Sequence, residues 1–285
     1  MRGVLKRYGI ALALILAGLM ALGLHYNGGA PEAPRRAGLL LNKFATGANL
    51  NRTSAQDQTT PAAPGASPLA GTAEPAARPQ GVVHSWPNAG KLAAITFDDG
   101  PSRQFTPLYL DELDKYGVHA TFFLVGRNVQ ENSGLAAKIA GGGNDIGCHS
   151  CYHRNLEKMD RAAAMQDIIS AKQLIERDSH RQVSLFRPPG GHLNQPLIRQ
   201  INEAGMKVVL WNIDPGDWYA SPEKIITNVF TNLRPGSIIL LHEGRAGTLA
   251  ALPTLIKGIR QRGYQLVTIS ELLASENKQS KERKP

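Results

Sequence analysis

Beyond residue 91 the chain alternates between short apolar or β-branched runs and longer segments of helical period. The runs are LAAITF (92–97), ATFFLV (120–125), VSLF (183–186), KVVLWNI (207–213), SIILL (237–241) and YQLVTI (264–269), with a shorter strand-like stretch in NDIGC (144–148). Runs of this length and composition, bounded by turn residues, predict strands. Between them, segments 106–116, 161–177, 194–204 and 222–233 combine helical spacing with good helix formers, which predicts helices. The glycines at 141–143 precede a strand-like turn and read as a helix stop. Strand–helix alternation implies a parallel sheet covered by helices, either an open doubly wound sheet or a (β/α) barrel. No G-x-G-x-x-G or G-x-x-x-x-G-K-[ST] follows the first strand, so a nucleotide is not expected as a ligand.

Polar residues gather where the strands end. Asp98 and Asp99 follow the first run, His149 follows NDIGC, Arg187 ends SLF, Asp214 ends VVLWNI and His242 ends IILL. In parallel α/β folds the carboxyl ends of the strands form the active-site face, so these residues predict a site at that mouth. His149 and His153 are four apart in HSCYH and share one face if the segment turns helically. Two histidines and one carboxylate make a three-ligand metal site with an open position. Neighbouring strand residues point to opposite faces, but the Gly-Pro turn after Asp98 and Asp99 can aim both carboxylates at one pocket. The competing reading is an ordinary surface turn, for which D-G and G-P are common signals.

TFDDGP (96–101), HSCYH (149–153), RPPGG (187–191), DPGDW (214–218) and ILLHEG (239–244) resemble, in order and spacing, the five motifs of the NodB-homology polysaccharide deacetylases, carbohydrate esterase family four. The resemblance spans about 82–275. It implies a distorted (β/α) barrel of seven or eight parallel strands and removal of acetyl groups from glycans with a divalent metal. Asp99, His149 and His153 are then the metal ligands and Asp98 the general base, with Arg187 paired to it. His242 resembles the general acid and Asp217 the carboxylate that orients it. Trp218 and Leu240 would line the pocket for the acetyl methyl, and a backbone N–H near Pro189 and Gly190 would face the oxyanion. Two histidines and a carboxylate suit zinc, and cobalt and nickel fit as well. Peptidoglycan or a chitin-like N-acetylglucosamine polymer is the expected substrate. The alternatives are an O-acetyl esterase on xylan or exopolysaccharide, a glycan-binding pseudoenzyme and an envelope scaffold.

Two departures stand out. Where the family usually carries an aromatic residue this chain has Gly190, which removes a wall of the pocket and puts substrate preference in question. Cys148 and Cys151, the only cysteines, flank the metal-binding motif. They could form a C-x-x-C redox pair, a short-loop disulfide, two buried thiols or, last, sulfur ligands. His25, His84 and His180 fall in tail or loop segments and read as solvated; His192 follows the third motif.

Outside this domain the chain changes character. Arg2, Lys6 and Arg7 precede a 16-residue uncharged run at 9–24, which predicts export. A spanning helix needs about 20 residues, so residues 1–27 are either a membrane anchor or a cleaved signal peptide. Residues 28–81, rich in Ala and Pro, cannot offset their ordering entropy and read as a disordered tether, as does the basic tail at 276–285. The formal charge of +9 looks like a nucleic-acid signal until it is divided along the chain. Residues 1–80 hold eight Lys/Arg against three acids and the last ten hold four against two, leaving twenty against eighteen between them. The excess lies in the tails, where it suits a membrane surface or an anionic wall rather than nucleic acid. The expected location is the cell envelope, anchored in the inner membrane and facing the periplasm or exterior, or secreted if the N-terminal segment is cleaved. A monomer is expected.

Overall fold

The structure, a computed structural model, describes residues 80–282. The expected anchor or signal at 1–27, and the tether up to residue 79, lie outside the described residues. Among the described residues no helix is long and apolar enough to cross a membrane.

Eight strands form one sheet: β1 (Val82–Val83), β2 (Leu92–Asp98), β3 (Thr121–Leu124), β4 (Asp145–Cys148), β5 (Leu185–Phe186), β6 (Lys207–Val209), β7 (Ser237–His242) and β8 (Gln265–Leu266). Every pairing is parallel, in the order β1-β6-β5-β4-β3-β2-β7, with β8 paired to the start of β2. Past β6 the chain reaches β7, where Ile213 bridges Ile239 and Leu240 N–H donates to the Ile213 carbonyl at 2.9 Å. This contact closes the sheet into the distorted (β/α) barrel expected from the sequence.

The helices are α1 (Thr106–Lys115), α2 (Gly126–Glu131), α3 (Leu135–Gly141), α4 (Arg161–Ser179), α5 (Gln195–Glu203), α6 (Pro222–Asn232), α7 (Ala246–Gln261) and α8 (Ile269–Glu282). Side-chain caps fix where several begin. Asp160 accepts from Ala162 and Ala163 N–H at the start of α4, and Asn194 from Leu197 N–H at the start of α5, satisfying donors that a helix start leaves orphaned. The run at 264–269 was expected to be all strand, yet β8 holds only two residues and α8 begins at Ile269. Thr268 and Glu271 explain the switch: Thr268 N–H donates to Glu271 Oε2 (2.8 Å) and Glu271 N–H to Thr268 Oγ1 (3.3 Å), a reciprocal capping box. The helix then runs to Glu282, into the stretch expected to be a disordered tail, and residues 283–285 lie outside the described range.

The period of two sorts each strand into two faces. On β2, Ala93, Ile95 and Phe97 belong to the larger core that packs against the helices, while Ala94 belongs to a second cluster inside the barrel. Ile239 and Leu241 on β7 face outward with the first set, and Ile238 faces inward with Phe123, Leu185 and Val209. Gly147 on β4 also takes an inward position, where a Cβ would come within 2.4 Å of the Phe123 ring. Continued along the strands, this parity turns Asp98, His149, Arg187 and His242 toward the barrel interior at its carboxyl end. The register pairs Thr96 with Leu240 and Asp98 with His242.

Candidate active site

Asp98 ends β2, and Asp99 directly after it would point out toward the helices if the strand continued. Instead Asp99 takes a left-handed φ of 75°, which Asp tolerates better than most residues, and its carboxylate turns back to the mouth. The expectation that a turn aims both carboxylates at one pocket is met by this single dihedral.

The histidine motif departs from expectation. Residues 149–153 are not helical; Ser150 and His153 adopt φ of 64° and 54°, so two left-handed turns, rather than helical spacing, bring the imidazoles together with ring centroids 5.0 Å apart. The loop is held from outside. The Asp167 carboxylate accepts from Cys151 N–H (2.6 Å) and from Arg154 (2.9 Å), and Gly126 and Arg127 N–H donate to the Ser150 and Cys151 carbonyls.

Asp99, His149 and His153 each offer one ligand atom within 4.8 Å of the others. His153 Nε2 lies 3.1 Å and His149 Nε2 3.6 Å from Asp99 Oδ1, a buried oxygen without a hydrogen-bond donor among the described residues. His149 Nδ1 is 2.7 Å from the Arg187 carbonyl. A carbonyl only accepts, so Nδ1 carries the proton and the Nε2 lone pair faces Asp99. Burial, the largest influence, pushes the His149 imidazole down and keeps it neutral. Burial acts to raise the Asp99 carboxyl, but His153 leads the influences that outweigh it and hold the carboxyl below its usual value. An orphaned carboxylate oxygen facing two imidazole nitrogens, with a histidine tautomer fixed by a backbone carbonyl, fits a divalent metal.

Arg187 is fully buried beneath this cluster. Its Nη1 donates to Asp98 Oδ1 (2.8 Å) and Thr96 Oγ1 (2.7 Å), its Nε to the Val209 carbonyl (3.2 Å) and its Nη2 to the Leu210 carbonyl (3.1 Å). Phe123 packs on the guanidinium, 4.1 Å from its ring centroid. A guanidinium loses its hydration here but regains hydrogen bonds and a counter-charge, which makes its burial tolerable.

At the end of β7, His242 donates twice to Asp217, which lies in the turn before α6: Nδ1 to Oδ1 and the backbone N–H to Oδ2, both at 2.7 Å. Thr248 Oγ1, a partner not anticipated from the sequence, donates to Oδ2 at 2.7 Å. The carboxylate only accepts here, so His242 Nδ1 bears a proton and Nε2 is turned to the mouth. Burial alone would lower the His242 imidazole, but the hydrogen bond and charge of Asp217 prevail and raise it. Trp218 packs on His242 with centroids 5.0 Å apart and is 42% exposed, so its ring is available at the rim. Leu240 is buried one step below His242 on the same face. Pro189 is buried and Gly190 exposed, in a 3₁₀ turn following Arg187. Gly190 has φ of 66°, and a Cβ there would sit 3.3 Å from the His192 ring. Asp214 stays apart, with Oδ1 bonded to Gly216 N–H. Both cysteines are free and buried; burial pushes the Cys148 thiol up to about 12, so they pack beside the ligand loop.

Comparisons with known proteins bear on the family and the fold. Residues 86–209 match the polysaccharide deacetylase family model. A peptidoglycan-N-acetylglucosamine deacetylase of Bacillus cereus is 40% identical over 204 residues, covering 68% of this chain and 94% of that protein. The peptidoglycan-N-acetylmuramic acid deacetylase PdaC of Bacillus subtilis is 37% identical over 183 residues, covering 64% of this chain and 38% of that protein. The crystal structure of a peptidoglycan N-acetylglucosamine deacetylase superposes with a TM-score of 0.66 at 32% identity, covering 67% of this chain and 92% of that one. With the barrel, the order of the motifs and a relative matched over nearly its whole length in agreement, the chain belongs to the polysaccharide deacetylase family.

Proposed function

We propose that the protein removes N-acetyl groups from the N-acetylglucosamine polymers of the cell envelope, peptidoglycan foremost, using a divalent metal held by Asp99, His149 and His153. One observation carries this assignment of roles: a candidate metal triad is flanked by a carboxylate on an arginine and a histidine on a carboxylate, with Asp98 and His242 as register partners on adjacent strands. That is the layout of a base and an acid on either side of a scissile amide.

When bound, a divalent ion supplies Lewis acidity toward the acetyl carbonyl and the attacking water. Asp98 accepts the proton of that water through Oδ2, the oxygen not taken by Arg187. Arg187 fixes the Asp98 rotamer and balances its charge. The backbone N–H near Pro189 and Gly190 donates to the oxygen that gains charge. His242 Nε2 gives a proton to the departing amine as the C–N bond breaks, leaving acetate and a free amino sugar. Asp217 holds His242 in the required tautomer and favours its protonated form. Trp218 and Leu240 border the space for the acetyl methyl. Zinc is the proposed ion, with cobalt and nickel compatible with the same donors. The N-terminal run at 9–24 with its preceding cations supports placement at the inner membrane, facing its substrate.

The test is acetate release from peptidoglycan, chitooligosaccharides and acetylated xylan by protein stripped with a chelator and then reloaded with zinc, cobalt or nickel. Release from the N-acetyl substrates that vanishes on stripping and returns on reloading is expected. Release from xylan esters alone would make the protein an O-acetyl esterase, and release from none would make it a glycan-binding protein.

A further inference from the structure

Glu243 follows His242 at the end of β7 and is only 6% exposed, yet the chemistry above gives it no task. The sequence shows it within ILLHEG but gives no reason to single it out. Strand parity turns it away from the barrel interior and under the turn at 98–102. Its backbone N–H donates to the Asp98 carbonyl at 2.9 Å. Its Oε1 accepts the Ser102 N–H (3.2 Å) and the Thr106 hydroxyl, and Thr106 Oγ1 itself accepts from Ser102 N–H at 2.8 Å. Its Oε2 has no hydrogen-bond partner among the described residues and lies against Gly100, where a Cβ would come within 1.9 Å of it. A side chain at this position would require the carboxylate to move. The outer carbonyls of the turn are held separately: Asp99 O by Asn128 Nδ2 (2.7 Å), Gly100 O by Val125 N–H (2.8 Å) and Pro101 O by Asn132 Nδ2 (3.3 Å).

We propose that Glu243 is a positioning residue for Asp98 and Asp99, the fixed point around which the turn that separates the base from the metal ligand is wound. A left-handed non-glycine residue costs about 1–2 kcal/mol, and such a conformation persists only where its surroundings over-determine it. Asp99 needs that conformation to face His149 and His153. Without Glu243, Ser102 N–H loses an acceptor, Thr106 loses its carboxylate, and the floor under Gly100 becomes a cavity. The turn can then relax toward extended geometry, which carries the Asp99 carboxylate away from the imidazoles. Removing a group that orients a metal ligand typically costs about 10–100-fold in metal affinity or activity.

This inference rests on Asp99, His149 and His153 holding the metal. The experiment measures zinc affinity of the full-length protein by chelator competition, and the absorption spectrum of the cobalt form, in Glu243→Ala, Glu243→Gln and Thr106→Val. Glu243→Ala should weaken zinc binding about 10–100-fold and alter the cobalt spectrum. Glu243→Gln keeps an oxygen acceptor in the same shape and should stay close to the parent. Thr106→Val should fall between the two. A folded Glu243→Ala protein with parental zinc affinity and spectrum, whatever its melting temperature, overturns the proposal. Should that variant fail to fold, Thr106→Val decides: weakened zinc binding upholds the proposal and unchanged binding overturns it. Zinc binding that survives His153→Ala would instead refute the metal site itself, independently of Glu243.

Discussion

Replacing Asp217 with Asn separates charge from shape at the group that holds His242. The carboxylate accepts three hydrogen bonds, from His242 Nδ1, His242 N–H and Thr248 Oγ1. An asparagine offers one oxygen and one NH₂ group. If the oxygen serves the backbone N–H and Thr248, the NH₂ meets Nδ1 and can bond only to an imidazole that has lost its Nδ1 proton. The protonated form, needed to give a proton from Nε2, then loses a hydrogen bond to a charged acceptor worth about 1.5–3 kcal/mol. At a tenfold change for each 1.4 kcal/mol, kcat should fall about 10–150-fold near neutral pH. The pH dependence has a definite sign. Asp217 raises the His242 imidazole against a burial effect that lowers it, so the acid form persists to higher pH in the parent. In the variant only the smaller pull of Asp98 and Asp99 still opposes burial, and the alkaline limb of the rate profile should move to lower pH. Asp217 touches none of the proposed metal ligands, so zinc content should not change. Initial rates of acetate release from a chitooligosaccharide, followed across pH with zinc content measured on the same samples, test this. An alkaline limb that stays in place, or a loss of rate that tracks a loss of zinc, would refute the assignment of Asp217 and His242.

Four further outcomes are expected. Asp98→Asn should retain zinc and lose about 10²–10⁴ in rate, whereas Asp99→Ala and His153→Ala should lose zinc and activity together; metal analysis beside rate measurement distinguishes them. Arg187→Met should leave the buried Asp98 carboxylate without its counter-charge and lower stability by about 3–5 kcal/mol, read from urea unfolding. Gly190→Tyr should alter the preference between short and long oligosaccharides with zinc content unchanged; its left-handed φ should cost about 1–2 kcal/mol of stability. The Cys148 thiol, buried and pushed up to about 12, should react with a thiol reagent only on unfolding, at a rate that denaturant raises.

What the sequence determined by itself was local in origin. Apolar runs of four to seven residues separated by amphipathic segments can bury their surfaces only as a helix-covered parallel sheet, and polar residues closing successive strands can only collect at its carboxyl end. Asp98, His149, Arg187 and His242 were therefore legible as one group, because the period of two that buries each strand also sets which way its last residue points. The pairing of Arg187 with Asp98 and of Asp217 with His242 became legible through the resemblance, and the side chains do lie at 2.8 and 2.7 Å. Tertiary structure decided the rest. β1 is two residues long, too short to carry a periodic signal, and becomes a strand only because β6 lies beside it. The two histidines of the candidate metal site meet through left-handed turns, which no residue spacing encodes; Asp167 and the backbone of α2 hold that loop. Thr248, Asn128 and Glu243 gained partners 29 to 137 residues away in sequence. Each is an ordinary polar residue until the barrel closes, because hydrogen bonds act over about 3 Å and only the packed fold brings such distant groups that close.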